Sequence, residues 1–238
     1  MSSAALFDSL AARYDELWTT TAVGRAQRNA VWRAVDPLFR AGDRLLDIGC
    51  GTGEDARHFA ARGIRVHAAD ASRAMVAQAA ARGGFSTQVL AAEQIGMLWP
   101  SQFDGAISNF GALNCVTDAA MVARSLGRLV KPGGAVAVCI IGRFCLWETG
   151  YYLLHGKFGK AFRRMPGRAG EIAYPSVREL HKTFSRDFKL KRWTGIGMLV
   201  PPSYVRLPRQ LVRVLEMADR FVPLRWCADH RLLIFERK

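Results

Sequence analysis

The stretch LLDIGCGTGED, residues Leu45–Asp55, decides the fold. A short apolar strand comes first, glycines then alternate at Gly49, Gly51 and Gly53, and a helix is predicted from Glu54 onward. Glycines are needed where a tight strand-to-helix turn must let the backbone approach a ligand without Cβ contacts. A dinucleotide-binding loop would read GxGxxG, and a carboxylate at residue 54 is a poor neighbour for a pyrophosphate. The loop therefore favours a cationic amino-acid ligand.

Acidic residues surround this loop in the sequence. We expect Asp47 and Glu54 to add negative charge beside the ligand. Asp70 ends the next predicted strand, where a carboxylate can accept hydrogen bonds from two ribose hydroxyls. The alternative role for Asp70 is that of a helix N-cap, and the two roles can overlap.

Strand and helix patterns alternate on both sides of the loop. The predicted strands are Arg44–Ile48, Arg65–Ala69, Phe85–Leu90, Phe103–Ser108, Ala135–Ile141, Asp187–Trp193 and Arg231–Glu236. Helical patterns are predicted at Ala4–Trp18, Ala22–Phe39, Glu54–Arg62, Ser72–Arg82, Asp118–Leu129, Arg143–His155, Ser176–Phe184 and Leu207–Val222. Short apolar strands that alternate with helices predict an α/β fold with a parallel sheet covered on both faces.

Four segments resemble the successive motifs of class I S-adenosylmethionine-dependent methyltransferases. They are LLDIGCGTG, the AADAS of Ala68–Ser72, FDGAISN at Phe103–Asn109 and LVKPGG at Leu129–Gly134. The opening AARYDELW also resembles the N-terminal helix of small-molecule members, such as the quinone-biosynthesis methyltransferases. The resemblance implies a Rossmann-like fold: a seven-stranded, mostly parallel sheet with N-terminal helices and a cap built by insertions after strands 5 and 6.

The same resemblance implies a cofactor and the residues that hold it. The cofactor would be S-adenosyl-L-methionine, the product S-adenosyl-L-homocysteine and the acceptor a small molecule. In the family the glycine loop cradles the methionine part, an acid such as Asp70 holds the ribose, and the loop after the fourth strand lines the methyl-transfer site. The implied cofactor-binding residues are Tyr14, Asp47, Gly49, Cys50, Gly51, Gly53, Asp70, Ala71, Met75, Ala92, Glu93, Asn109 and Phe110.

One departure from the family pattern concerns the adenine. Many relatives have Gly-Asp-Ala-Glu after the third strand, with the Asp reaching the adenine amine. This chain has Leu-Ala-Ala-Glu at Leu90–Glu93 instead. The contact therefore falls to the backbone at Ala92 or to Glu93.

The positive charge is concentrated in the second half of the chain. The formal net charge is +14, and residues 141–238 hold 20 Lys and Arg against 8 Asp and Glu. This charge fits a solvated basic surface, an anionic or lipid-like acceptor, or peripheral contact with an anionic membrane. Nucleic acid is disfavoured as a partner because no nucleic-acid-binding motif accompanies the charge.

The second half also supplies candidates for the substrate site. On the predicted helix Arg143–His155, three aromatic residues and a histidine form one stripe at i, i+3, i+7 and i+11. This stripe either faces the core or forms one wall of a substrate cavity, with His155 available as a proton acceptor. The substrate candidates are Arg143, Trp147, Tyr151 and His155, and the catalytic candidates are His155, Tyr151 and Asn114.

We expect one domain over residues 1–238, in which 1–42 form N-terminal helices, 43–141 the cofactor-binding core and 142–238 the substrate cap with the final strand pair. The segments Arg143–Pro175 and Pro201–Val222 are predicted to form a movable cap. In the helix Leu207–Val222, the residues expected to point inward are Leu211, Val214, Leu215, Ala218 and Phe221.

The five cysteines are scattered and never spaced CxxC, which argues against a zinc site or a disulfide framework and favours a cytoplasmic location. The longest apolar run is far shorter than the roughly 20 residues of a membrane span. A monomer or a homodimer is expected. The competing interpretations are an RNA or protein methyltransferase, a cofactor-binding regulatory protein without turnover, and a nicotinamide-dependent oxidoreductase.

Overall fold

Seven strands form a single sheet in the computed structural model, which describes residues 3–165, 172–203, 205–219, 221 and 225–238. The strands are β1 Arg44–Ile48, β2 Arg65–Asp70, β3 Ser86–Val89, β4 Phe103–Ser108, β5 Val130–Ile141, β6 Phe188–Ile196 and β7 His230–Arg237. Their order across the sheet is β3-β2-β1-β4-β5-β7-β6. The first five strands are parallel, whereas β7 is antiparallel to both β5 and β6. The predicted seven-stranded, mostly parallel sheet is confirmed.

Helices cover both faces of this sheet. They are α1 Ser3–Tyr14, α2 Ala22–Val35, α3 Glu54–Ala60, α4 Arg73–Arg82, α5 Ala119–Leu129, α6 Leu146–Leu154, α7 Phe158–Ala161, α8 Val177–Phe184 and α9 Arg209–Asp219. Buried side chains of α5 and α8 pack on one face of the sheet, and those of α2, α3 and α4 pack on the other. Parallel strands that are buried on both faces need this double cover.

The main errors of the sequence-based boundaries lie around β5 and beyond it. β5 begins at Val130 rather than at the predicted Ala135, and its pairing with β4 shifts register between Phe103 and Gly105. The helix predicted from Arg143 begins at Leu146, and α7 follows it within the predicted cap segment Arg143–Pro175, where no second helix was predicted before Ser176. Residues 166–171 of that segment, and residues 204, 220 and 222 of the second predicted cap segment, lie outside the described residues.

Helix α9 packs against α2 with a face that only partly matches the predicted one. Val212 is its buried residue, and Leu215 packs against the cluster that contains Val212, as predicted. Leu211, Val214 and Phe221 are exposed, so their predicted inward orientation is wrong. Val212 packs with Val23 and Ala26 of α2 in a small cluster. Because α9 packs on one neighbouring helix rather than on the central core, its buried apolar stripe is narrower than the sequence pattern predicts.

None of the described helices is both long and apolar enough to cross a membrane.

Candidate active site

The glycine loop follows β1 and carries three backbone conformations that favour glycine. Gly49, Gly51 and Gly53 have φ values of 68°, 53° and 81°. A Cβ at Gly49 would lie 2.2 Å from the Cβ of Ala112, so this position is closed by packing. A Cβ at Gly51 would meet no atom within 4 Å. The loop therefore leaves open space beside Gly51, which is where a ligand can approach the backbone.

The carboxylate of Asp70 joins the glycine loop to the start of α4. It accepts hydrogen bonds from the backbone N–H of Gly51 at 2.9 Å and of Ser72 at 2.8 Å. The N-cap of α4 is Ser72, whose Oγ accepts from the N–H of Met75, so the alternative of Asp70 as N-cap is wrong. Burial raises the pKa of Asp70, and these backbone hydrogen bonds partly offset the rise. Each carboxylate oxygen keeps a lone pair that a ribose hydroxyl can use.

Two further acids at the loop are paired with arginines. Glu54 lies 2.9 Å from Arg82, measured between Oε2 and Nη1, so an arginine balances the negative charge that it brings to the loop. Asp55 pairs with Arg28 and also accepts a hydrogen bond from the indole N–H of Trp32 at 2.7 Å. The negative charge of α3 is therefore balanced within the protein.

Asp47 is the acid that stays without such a partner. Its side chain is buried, and its Oδ2 finds no hydrogen-bond partner among the described residues. Burial, followed by the negative charge of Asp55, raises its pKa well above the usual range, against the opposing effect of Arg28. An unpaired carboxylate at this depth is costly, and a cationic ligand group would relieve that cost.

The N-terminal helix covers the glycine loop, a contact that the sequence did not predict. Asp8 of α1 accepts hydrogen bonds from the Ser72 hydroxyl at 2.6 Å and from the Ala74 N–H at 3.0 Å. Asp15, which follows α1, accepts from the Thr52 hydroxyl at 2.7 Å and pairs with Arg82. Tyr14 is thereby held near the loop, and burial raises the pKa of its hydroxyl.

The remaining residues assigned to the cofactor surround the same edge of the sheet. Ala92 begins a 3₁₀ turn after β3, and Glu93 accepts hydrogen bonds from the backbone and the hydroxyl of Thr117. Asn109, directly after β4, donates to Asp55 and accepts from the N–H of Phe110. Ala71 is exposed, whereas Met75 is buried. Cys50 is also buried, and burial raises the pKa of its thiol, so it stays protonated.

Buried polar atoms without a hydrogen-bond partner gather at two neighbouring places. Among the described residues, Asp47 Oδ2 and Ser108 Oγ lie at the carboxyl ends of the adjacent strands β1 and β4. The other three, Thr19 Oγ1, Arg28 Nε and His230 Nδ1, belong to residues that line one cavity of about 210 Å³. Orphaned buried polar groups are rare in folded proteins, and their concentration marks a place where a ligand supplies the missing partners.

This cavity has aromatic walls. Its lining includes Phe7, Tyr14, Trp18 and Phe110, together with Ile141 at the end of β5. The guanidinium of Arg28 lies 4.8 Å from the centre of the Phe110 ring. Thr19, Arg28 and His230 could not be predicted as site residues, because no local motif contains them and the fold alone brings them together.

The substrate candidates on α6 do not line this cavity. Trp147 and Tyr151 are 39% and 48% exposed, so the interpretation of a core-facing stripe is wrong. Trp147 donates to the carbonyl of Leu199 at 3.0 Å, and His155 Nδ1 lies 2.8 Å from the carbonyl oxygen of Tyr151. The α6 stripe is therefore an outer surface of the cap.

Two other candidates are occupied by contacts within the protein. Arg143 donates to the carbonyl of Tyr174 and pairs with Glu179, which leaves it engaged rather than free for an anionic substrate. Asn114 is fully buried, and its amide bonds to the backbone of Ile141 and Ala173. This geometry favours a role for Asn114 in positioning the end of β5, next to the cavity.

Comparison with known proteins agrees with this geometry. Residues 45–134 match the family model described as a methyltransferase domain. Over these residues the chain is therefore similar to a methyltransferase domain. This agrees with the resemblance stated from the motifs, and S-adenosylmethionine is the cofactor that this similarity implies. The cofactor fits the residues present, because an unpaired acid, an open loop face and a second acid lie along one edge of the sheet.

Two relatives and one solved structure define the similarity. The chain is 36% identical over 143 residues to a demethylmenaquinone methyltransferase of Thermobifida fusca, covering 57% of this chain and 59% of that protein. It is 37% identical over 108 residues to a ubiquinone biosynthesis O-methyltransferase of Pseudomonas aeruginosa, covering 43% and 46%. A methyltransferase structure from Thermotoga maritima superposes with a TM-score of 0.65 at 18% identity and 99% coverage of both chains, which shows the shared fold. The matched region spans less than two thirds of either relative's length.

Proposed function

We propose that this protein transfers the methyl group of S-adenosylmethionine to a small, aromatic, quinone-like acceptor held in the 210 Å³ cavity. The observation that carries this proposal is the pair of adjacent places with unpartnered polar atoms, one beside the glycine loop and one in the aromatic cavity. The names of both relatives refer to quinones, and this supports a quinone-like acceptor.

The residues of the chain divide between the two partners of the reaction. When bound, the cofactor supplies a methyl group already activated by a positively charged sulfur. Asp47 would hold the ammonium group, Gly51 would admit the ligand beside the loop, and Asp70 would hold the ribose. The acceptor would lie between Tyr14 and Phe110, where the aromatic walls of the cavity would hold the nucleophile in line.

The cavity volume favours an acceptor with one ring at this site. An engineered protein cavity of about 150 Å³ takes up benzene, so about 210 Å³ suits one substituted ring. Arg28 and Thr19 provide donors for ring oxygens, whereas any long apolar tail would have to lie outside the cavity. This supports a lipid-like acceptor of which only the head is enclosed.

Calorimetry and a transfer assay test this function. We expect S-adenosylmethionine and S-adenosylhomocysteine to bind, and neither NAD nor FAD to do so. Label from methyl-labelled cofactor should pass to a dihydroxybenzene in preference to a dihydroxynaphthalene. Binding of NAD but not of the methyl donor would refute the proposal. Cofactor binding without transfer to either acceptor would favour the regulatory alternative, and transfer to RNA or protein alone would favour the macromolecular one.

We also propose that the tip formed by α6 and α7 contacts an anionic membrane. The α6–α7 tip, defined here as Leu154, Lys157, Phe158 and Lys160, combines two basic residues with apolar side chains that are 87% and 64% exposed. Apolar insertion and attraction to anionic lipid act together in peripheral binding. The tip lies beyond the carboxyl end of β5, the edge at which a membrane-borne acceptor would have to enter.

Vesicle sedimentation tests the α6–α7 tip. The protein should sediment with mixed phosphatidylcholine and phosphatidylglycerol vesicles more than with phosphatidylcholine alone, and high salt should release it. Leu154→Asp with Phe158→Asp should reduce binding at least about fivefold, since both anchors are lost. The matched control is Met97→Asp with Trp99→Asp, which changes two exposed residues near the amino ends of the strands. Equal loss in both pairs, or dimer formation through the tip, would contradict the membrane proposal.

The cap, the assembly and the location remain proposals as well. We expect Arg143–Pro175 and Pro201–Val222 to move when ligands bind, because in open α/β sheets the ligand crevice lies at the carboxyl edge. Hydrogen exchange should slow in both segments on cofactor binding, and full protection in the free protein would refute the movement. A cytoplasmic enzyme that is a monomer or a homodimer is consistent with five free cysteines.

A further inference from the structure

His230 occupies the junction between the methyl-transfer loop and the acceptor cavity. It is the first residue of β7, where it pairs with Ile141 at the carboxyl end of β5. Its ring meets Phe110 edge to face, with centres 5.2 Å apart. Its side chain is buried, lines the 210 Å³ cavity, and has no hydrogen-bond partner for Nδ1 among the described residues.

We propose that His230 is a catalytic residue that accepts the proton of the acceptor's hydroxyl during methyl transfer. This inference rests on the proposed function and adds the group that makes an oxygen nucleophile reactive. A hydroxyl attacks a methyl group poorly while it keeps its proton, so a base within reach of that proton accelerates the reaction.

The surroundings of His230 suit a base that is neutral before the reaction. Burial lowers its pKa, the charge of Asp229 partly opposes this, and the positive charges of Arg164 and Arg231 lower it further. The Asp229 Oδ2 lies 3.3 Å from Nδ1, although without hydrogen-bond geometry. Asp229 can therefore stabilise the imidazolium that forms for a moment.

The other titratable residues described in the cavity lining cannot take this role. Burial raises the pKa of Tyr14, so its hydroxyl keeps its proton at neutral pH. Arg28 is paired with Asp55 and stays charged. His230 is thus the remaining proton acceptor among the described lining residues that titrate.

The step balances within the proposed reaction. The acceptor oxygen forms a bond to the methyl carbon as the carbon–sulfur bond breaks, and the electron pair of that bond stays on sulfur. The hydroxyl proton passes to Nε2 of His230, the ring nitrogen away from Asp229, and the imidazolium later releases it to water. No oxidant or reductant is needed.

An NMR titration tests the environment of His230 without relying on activity. The chain has five histidines, and the signal missing from the His230→Gln protein identifies the ring. We expect this signal to titrate below the usual histidine pKa of about 6.5 and to shift when a dihydroxybenzene binds in the presence of S-adenosylhomocysteine. A normal titration, or no response to that probe, would overturn the inference.

Kinetics provide the second test. His230→Gln should lower kcat by about 100-fold or more, the usual contribution of a general base, while S-adenosylhomocysteine affinity stays within about threefold. The wild-type rate should fall as the pH drops through the lowered pKa of His230. This acid-side fall of the rate should be absent in His230→Gln. The control is His67→Gln, because burial also lowers the pKa of His67, which bonds to Ser86 and Gln88 away from the cavity. This control should keep wild-type kinetics.

Rescue separates a chemical role from a structural one. Added imidazole should restore part of the rate to His230→Ala but not to His230→Gln, where the cavity stays filled. If the wild type shows neither cofactor binding nor transfer, the proposed function fails. If the wild type is active and His230→Gln is equally active, only the inference about His230 fails.

Discussion

The cofactor half, residues 43–141, and the cap half, residues 142–238, differ in how they partner their buried charges. In the cofactor half, Asp47 is buried with an oxygen that has no partner. In the cap half, the Glu148 carboxylate accepts hydrogen bonds from the guanidinium groups of both Arg163 and Arg164. Arg164 Nη2 also lies 2.9 Å from Asp229 Oδ1. Complete pairing fixes the position of a segment, whereas a group left without its partner is ready to bind one.

His230 marks the point where these two arrangements meet. It lies in the cap half next to Asp229, yet its Nδ1 has no hydrogen-bond partner among the described residues, and its ring lines the cavity. The network of paired charges thus includes Asp229 but not His230, the next residue along the chain. We infer that the network of Glu148, Arg163, Arg164 and Asp229 holds α6 and α7 in place while His230 stays available.

The largest effect that we expect is on stability, from Glu148→Gln. Removing one member of a buried charge network leaves a buried arginine undercompensated, which costs about 3–5 kcal/mol of unfolding free energy. Urea unfolding measures this, and cofactor affinity should stay within about threefold. Glu236→Gln, from the exposed pair with Lys191, is the control and should cost under about 1 kcal/mol.

The pH dependence of that loss follows from the pKa of Glu148. Burial alone would raise this pKa, but hydrogen bonds from Arg163 and Arg164 outweigh burial and lower it to about 2. A lowered carboxyl pKa contributes stability above the unfolded-state pKa and loses it as the pH falls through the folded value. The difference between wild type and Glu148→Gln should therefore shrink from about pH 4.5 down to about 2. A constant difference over this range would contradict the pairing.

The next effect concerns cofactor binding through Gly51→Val. A branched side chain would fill the open space beside the loop, so we expect affinity to fall at least about 100-fold, or about 2.7 kcal/mol. Calorimetry with S-adenosylhomocysteine measures it. Gly133→Val is the matched control, because Gly133 also has a positive φ and no atom within 4 Å of its Cβ position, yet it lies in β5. If both variants bind equally well, the open space at Gly51 is not the ligand site.

A smaller loss is expected for Asp70→Ala. Charge-assisted hydrogen bonds to ribose hydroxyls are worth about 1.5–3 kcal/mol each before rearrangement, so affinity should fall at least about tenfold. The circular dichroism spectrum should stay native. Asp118→Ala is the control, since Asp118 also accepts a backbone N–H, at the start of α5, but far along the chain from the loop. It should lose stability without losing affinity, and unchanged affinity in Asp70→Ala would place the ribose elsewhere.

The smallest effect that we expect is on stability, from Asp47→Asn, and it is a gain rather than a loss. Because burial raises the pKa of Asp47, its ionisation reduces stability as the pH rises through the folded-state pKa. Asn should therefore stabilise the ligand-free protein at neutral pH by about 0.5–2 kcal/mol while weakening cofactor binding. Asp104→Asn is the control: its pKa is lowered, with hydrogen bonds from Lys131 and the Arg44 N–H outweighing burial, so this change should destabilise. A loss of stability in both variants would break the contrast between paired and unpaired acids.

The secondary structure of the cofactor half could be predicted from the sequence with few errors. β1 and β4 have the predicted ends, and α4 begins one residue after its predicted start at Ser72. These features rest on local signals, because strand periodicity, glycine turns and caps depend on residues close together in the chain.

The cap half was harder to predict, because its arrangement depends on contacts between residues that are far apart in the chain. The aromatic stripe of α6 has a clear helical period, yet this period cannot say whether the stripe meets the core or solvent. The side chains of Trp147 and Tyr151 face outward because Glu148, on another side of the same helix, joins the buried charge network. That network depends on Asp229, which is far away in the sequence.

The sequence by itself determined the order of the strands and of most helices, the glycine loop, and the acids Asp47 near the end of β1 and Asp70 at the end of β2. Only the tertiary structure decided which of these acids are paired, that α1 covers the loop, and that Thr19, Arg28 and His230 share one cavity. The physical reason is distance along the chain. Backbone conformation is set largely by near neighbours, whereas burial and charge pairing depend on which distant segments pack together.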